Sequence, residues 1–202
     1  MARSDSIRVT RPVAVRRFVT ALALAAASAV TLAEAPPGIS LLTREFEAFD
    51  NKSLAQQVQE LADREEIREL IARYAHRVAH RQPFSDLFTD DGVYRSHPSP
   101  GSVRETRGRS NLAARFDSNP QSAESALPMI HNFLISISGD DAIGICANEL
   151  RITQNGTSII ASGYYQDRYR RVNGRWKFAE RDITWFHWAP LQEGWSRPGT
   201  AN

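Results

Sequence analysis

Two dipeptides, Asn155-Gly156 and Asn173-Gly174, constrain this chain more than any other feature. Both central residues of a type I′ turn need positive φ, which Asn and Gly tolerate best, so each pair predicts a tight hairpin. Alternating segments flank them: "AIGICANELRI" before the first turn, "SIIASGYYQDRYRRV" between the two and "RWKFAERDITWFHW" after the second. "HNFLISIS", closed by the turn "GDD", adds a strand upstream. Successive hairpins of this kind specify an antiparallel meander. The region before them has helical spacing. Ile67, Leu70, Ile71, Tyr74 and Val78 form one apolar stripe, Asp63 and Glu66 stand at capping-box spacing, and Pro83 ends the run. Helices followed by a meander predict an α+β fold, with helices on one face of a curved sheet.

The 202 residues suit one globular domain with extensions. Residues 1–35 read as an export leader. "RPVAVRR" is positive, "FVTALALAAASAVTLA" is an apolar run too short for a stable membrane span, and "AEA" ends it in A-x-A style. This predicts a periplasmic or secreted protein, or a cytoplasmic one if the start is placed elsewhere. The leader holds five arginines against Asp5 and Glu34, a net +3, so from a total of +2 the remainder carries −1. The folded part therefore has no electrostatic footprint for nucleic acid. Residues 36–62 read as a linker and helical arm, 63–190 as the domain, and 191–202 as a tail. "FSDLF" and "SNLAARF" read as short helical turns, the second capped by Ser110 or Asn111. The single cysteine, Cys146, has no Cys or His neighbour at metal spacing and reads as a small buried strand residue.

Several residues could carry chemistry. By strict alternation His131 shares a face with Phe133, Ile135 and Ile137. It would then be a desolvated, neutral base, or else a core histidine bonded to backbone. Tyr94 and Tyr74 could each polarise a carbonyl or hold a water, or serve as core aromatics. Asp167 shares a face with Tyr165 and Tyr169. It could be an acid or base, or pair with Arg181 on a neighbouring strand. His76 and His80 have i, i+4 spacing but lie off the apolar stripe, so a solvated face is expected rather than a metal site. "TWFHWAPLQEGW" either closes a pocket mouth or forms a subunit interface.

The ordered motifs "REEIRELIARYA", "LFTDDGVY", "GRSNLAARF", "HNFLISISGDDAI" and "GYYQDRYRRVNGRWKFAERDITW" resemble the SnoaL-like family, within the nuclear-transport-factor-two-like superfamily, over about residues 63 to 188. The resemblance implies a conical fold: a strongly curved, mostly antiparallel sheet wrapped around a long N-terminal helix, enclosing an apolar cavity. It implies homodimers or homotrimers and a small hydrophobic substrate, with no cofactor and no metal. By this resemblance His131 takes the role of a cavity histidine, and Tyr94 that of a cavity tyrosine, both acting around a bound water. His80 or Ala79 stands where the family carries an aspartate in a D-x-x-D-W pattern, here "HRQPF". Tyr74, Phe133, Tyr165 and Trp185 are the implied substrate contacts, and Asp167 a further acid–base candidate. The activity expected is that of a cofactor-independent lyase or isomerase, by dehydration or retro-aldol chemistry, on an aromatic or polycyclic hydroxylated substrate. The alternative is a non-catalytic carrier or assembly subunit, including a dioxygenase small-subunit role.

Overall fold

The computed structural model describes residues 39–44, 51–99, 101–118 and 125–191. The expected leader, and the tail beyond Leu191, lie outside the described residues. Helix α1 spans Leu54–Ala79. Its N-cap is Ser53, whose hydroxyl accepts from the Gln56 N–H while the Gln56 side chain accepts from the Ser53 N–H. This reciprocal pair moves the helix start well upstream of Asp63 and brings residues 54–62 of the expected arm into the same helix. Asp63 and Glu66 are therefore interior residues, not a capping box.

Asp63 instead fastens the helix to the sheet. It is buried and accepts from Arg171 Nη2 at 2.7 Å, Trp176 Nε1 at 3.2 Å and Gln59 Nε2 at 3.0 Å. Glu66 accepts from the Trp176 N–H at 3.1 Å. Burial alone would raise the Asp63 carboxyl. The hydrogen bonds from Arg171, Trp176 and Gln59, together with the Arg171 charge, outweigh it and hold Asp63 below the ordinary Asp range. Asp63→Ala should cost about 2–4 kcal/mol in urea unfolding, because it leaves a buried indole N–H unpaired and strips the Arg171 guanidinium of its buried partner, leaving it only the exposed Asp140. The depressed carboxyl gives the sign of its pH dependence. Its contribution is complete above the unfolded Asp pKa and is lost as pH falls through the folded value, so wild type and Asp63→Ala should converge in acid.

Six strands follow: β1 Phe88–Ser99, β2 Ser102–Arg107, β3 Ser125–Ser138, β4 Asp141–Gln154, β5 Thr157–Val172 and β6 Arg175–Pro190. Their order is β2-β1-β6-β5-β4-β3. All neighbours are antiparallel except β1 and β6. Asn155 and Asn173 sit at φ 51° and 52°, each followed by a positive-φ glycine, as the two hairpins require. Between β2 and β3, helix α2 (Arg109–Leu112) runs into a π-helical turn, Ala113–Asp117. The α2 N-cap is Gly108, with no side-chain cap, rather than Ser110 or Asn111. The concave face of the sheet packs on Ile67, Leu70, Ile71 and Tyr74 of α1, and the result is a curved α+β fold with a mixed, mostly antiparallel sheet. Among the described residues no helix is long and apolar enough to cross a membrane.

A β-bulge in β3 reverses the expected orientation of His131. The register passes from His131↔Ala147 to Leu134↔Ile145, so Asn132 and Phe133 together oppose Cys146, and Asn132 takes φ 56°. In β4 the residues Ala142, Cys146, Asn148 and Leu150 are buried on the concave side while Ala147 and Glu149 face outward. Ile130 pairs with Asn148 and faces inward; His131 pairs with Ala147 and faces outward. The extra residue breaks the alternation that would have placed the imidazole beside Phe133, Ile135 and Ile137.

Candidate functional site: a buried arginine among tyrosines

The polar centre of the concave face is built by register. Gly144, Asp167 and Arg181 form one cross-strand row on β4, β5 and β6, and Tyr94 on β1 stands beside Arg181. The neighbouring row is Cys146, Tyr165 and Ile183. Tyr74 approaches from α1.

Arg181 and Asp167 are both 0% exposed, with Arg181 Nη2 3.4 Å from Asp167 Oδ2. Tyr169 donates to the same oxygen at 2.8 Å. Arg181 Nη2 also lies 4.0 Å from the Cys146 sulfur. Three rings surround the guanidinium: its carbon lies 3.8 Å from the centroid of Tyr165, 4.2 Å from Tyr74 and 4.5 Å from Phe178. Desolvation would push a guanidinium down, but Asp167 and the aromatic, thiol-lined surroundings hold Arg181 charged. Burial is the larger influence on Asp167. Despite Arg181 and the Tyr169 hydroxyl, its carboxyl is pushed up to about 6. The hydroxyls of Tyr94 and Tyr165 both interact with that of Tyr74, and burial raises all three phenols. Phe116, from the π-helical turn, meets the Tyr94 ring edge-on with centroids 5.2 Å apart.

This cluster is incompletely satisfied. Among the described residues, Asp167 Oδ1 and Arg181 Nε and Nη1 are buried without a hydrogen-bond partner, as are both amide atoms of Asn148, which lies two inward-facing rows away opposite Gly163. A buried polar atom left unpaired costs about 1–3 kcal/mol, more when charged, so such atoms in one locality need a physical reason. Oriented donors and a raised carboxyl on one concave face could hold a carbonyl or hydroxyl and move a proton beside it.

Of the residues singled out in the sequence, the fold brings Tyr74, Tyr94, Tyr165 and Asp167 together. Phe133 and Trp185 are partly buried against the same core. His131 does not join them. Its ring is 45% exposed on the outer face, with Nε2 3.8 Å from Glu149 Oε1. His80 is the exposed C-cap of α1, stacked on His76 with centroids 6.2 Å apart. No group of three or more potential metal-ligating His, Cys, Asp or Glu side chains occurs among the described residues. Sequence reasoning missed Asn148. The signal was available, since Asn148 continues the inward alternation of Ala142, Gly144 and Cys146 and so places an amide in the core.

Solved structures share this architecture. The hexachlorocyclohexane dehydrochlorinase LinA-type3 from Novosphingobium barchaimii LL02 superposes with a TM-score of 0.61 at 19% identity, over 70% of this chain and 99% of its own. A scytalone dehydratase-like protein from Novosphingobium aromaticivorans DSM 12444 gives 0.60 at 18% identity, over 72% and 99%. A protein of unknown function from Mycobacterium tuberculosis gives 0.55 at 25% identity, over 69% and 78%. None of the curated proteins compared matches in sequence. The model of the SnoaL-like domain matches residues 59–182, from the upstream part of α1 through the Asp167–Arg181 row, and the chain belongs to that family.

Proposed function

We propose that this protein is a cofactor-independent lyase or isomerase that moves protons on a small, mostly apolar, hydroxylated substrate, with Asp167, Arg181 and the Tyr94–Tyr74–Tyr165 group as its polar centre. The observation that carries the reading is the set of unpartnered polar atoms on Asp167 and Arg181, buried together on the concave face. In this reading a substrate oxygen takes the free N–H groups of Arg181, which stabilise negative charge as it develops. Asp167 removes a proton through its free oxygen, and the phenol group returns one to the leaving hydroxyl. Elimination is also the chemistry that the names of the dehydrochlorinase and dehydratase relatives describe. Phe116, in the turn Ala113–Asp117, packs edge-on against Tyr94 on one side of this centre.

The test is turnover of hydroxylated aromatic dimers, polyketides and steroids by the purified chain. Asp167→Asn should lower kcat/KM by about 10²–10⁴-fold, the usual worth of one positioned acid–base group. Tyr94→Phe should lower it less, and His131→Ala should change it less than about twofold. Because the base must be unprotonated, kcat/KM of the wild type should rise with pH through about 6. Equal turnover by Asp167→Asn, or a flat profile across that range, would overturn the assignment. One observation favours the second reading, a carrier or assembly subunit: Arg181 and Asp167 are wholly occluded. Tight binding of a screened ligand with no turnover would decide for it.

A further inference from the structure

The outer face of the sheet, opposite the Arg181 cluster, changes polarity along its strands. At one end a hollow of about 500 Å³ is lined by Arg44, Ser136, Ser138, Asp141, Arg168 and Arg170. Beside it a hollow of about 640 Å³ is lined by Leu42, Leu134, Ile145, Tyr164 and Phe186. The register makes them neighbours. Arg168 stands in one cross-strand row with Ile143 and Ser136, and the next outward row holds Ile145 and Leu134. The 3-10 turn Ile39–Leu42 lies against β3 and β4, so Leu42 reaches the second hollow two residues before Arg44 reaches the first.

The first hollow sets three arginines against one carboxylate. Arg44 donates to Ser136 Oγ at 2.5 Å. Arg170 is shared between Asp91 and Asp141, at 3.2 and 3.8 Å. Arg168 is exposed and has neither a hydrogen bond nor an ion pair among the described residues. Glu180, its cross-strand neighbour on β6, is engaged by Arg95. A guanidinium with spare donors beside serine hydroxyls suits a carboxylate, which arginine binds as a fork. The second hollow is apolar. Leu42, Leu134 and Phe186 are exposed there, and the Phe186 ring lies 5.1 Å from that of Tyr164. A contiguous exposed apolar patch of this kind marks a binding surface. Arg168 and Tyr164 are four residues apart on β5, about 13 Å. A ligand that satisfies both ends has an anionic head and an apolar tail of that length.

We propose that this trough binds a free medium-chain fatty carboxylate, with its head at Arg168 and Arg44 and its tail between Leu134, Ile145, Tyr164 and Phe186. Asp167 and Arg181 lie on the opposite, concave face, so this site is independent of the proposed catalytic centre.

Titration calorimetry on the full chain, with decanoate, decanol and hexanoate below their micellar concentrations, is the test. Decanoate should bind about tenfold more tightly than decanol, the worth of a hydrogen bond to a charged group. It should bind at least about tenfold more tightly than hexanoate, which lacks four of its methylenes. Arg168→Gln should weaken decanoate by about fivefold or more and leave decanol unchanged. Phe186→Ser should weaken both decyl compounds by about fivefold or more. Both substitutions fall at exposed positions, so circular dichroism should show the fold intact. No decanoate binding, equal affinities for decanoate and decanol, or a decanoate affinity untouched by either substitution would overturn the proposal. So would co-sedimentation with phosphatidylglycerol vesicles that Phe186→Ser abolishes, which assigns the face to a membrane, or a dimer that Phe186→Ser dissociates, which assigns it to a second copy.

Discussion

Asp167→Ala should destabilise the protein by about 3–5 kcal/mol, while Asp167→Leu combined with Arg181→Met should recover most of that loss. The asymmetry follows from burial. Both side chains are fully occluded, and the single replacement leaves a guanidinium in the core with rings on several sides and no counter-charge. The double replacement removes both charges and fills similar volume with apolar groups, and buried ion pairs often exchange for such groups at little cost. Tyr169 would then lose its acceptor on Asp167, so recovery should be incomplete unless Tyr169→Phe is added.

The pH dependence supplies a second check. The Asp167 carboxyl lies at about 6, above the ordinary range near 3.9 expected when unfolded. A raised folded pKa means that the native state binds this proton more tightly. The contribution of Asp167 is therefore greatest below the unfolded value and falls as pH rises towards about 6. Urea midpoints of wild type should fall relative to Asp167→Asn between about pH 4 and 6. Single and double variants with equal losses, or a pH trend of the opposite sign, would refute this account of the pair.

Gly163→Ala should be the most damaging small substitution in the sheet, costing more than about 3 kcal/mol or preventing folding. Gly163 sits at the bulge where the β5–β6 register passes from Ser162↔His187 to Gly163↔Trp185. A Cβ there would lie 2.0 Å from the Thr184 carbonyl oxygen and 3.0 Å from Trp185 Cα. These are backbone atoms of the adjacent strand and cannot rotate away. Relief requires β6 to shift between Arg181 and Trp185. Gly156→Ala is the informative control. Its φ of 73° is unfavourable for alanine, but nothing lies within 4 Å of the new methyl, so about 1 kcal/mol is expected. Thermal unfolding of the two variants side by side separates a steric cost from a conformational one. Comparable losses would mean that β6 yields more easily than close packing suggests.

The meander was legible because its turns are chemically explicit: Asn-Gly pairs leave few alternatives for the backbone. Asp167 was legible as a partner of Arg181 because the hairpin through Asn173-Gly174 sets them opposite each other. His131 was misread for a physical reason. Alternation reports a face only while the phase is unbroken, and a bulge slips the phase by one residue without any change in composition. Asn132 was the available hint, since asparagine is enriched among non-glycine residues at positive φ. The start of α1 was misread because Asp63 and Glu66 imitate a cap while serving Arg171, Trp176 and Arg175 on the sheet.

The bulges in β3 and β6 also bear on how the sheet gets its shape. Asn132–Phe133 in β3, and Ala179 and Phe186 in β6, each add a residue that the adjoining strand does not match. A ribbon bends when one of its edges is made longer than the other, and these few surplus residues supply that inequality. Curvature here is thus a matter of residue count rather than of side-chain identity. Excising Asn132 would leave Ile130 inward and His131 outward, yet straighten the arc that embraces α1.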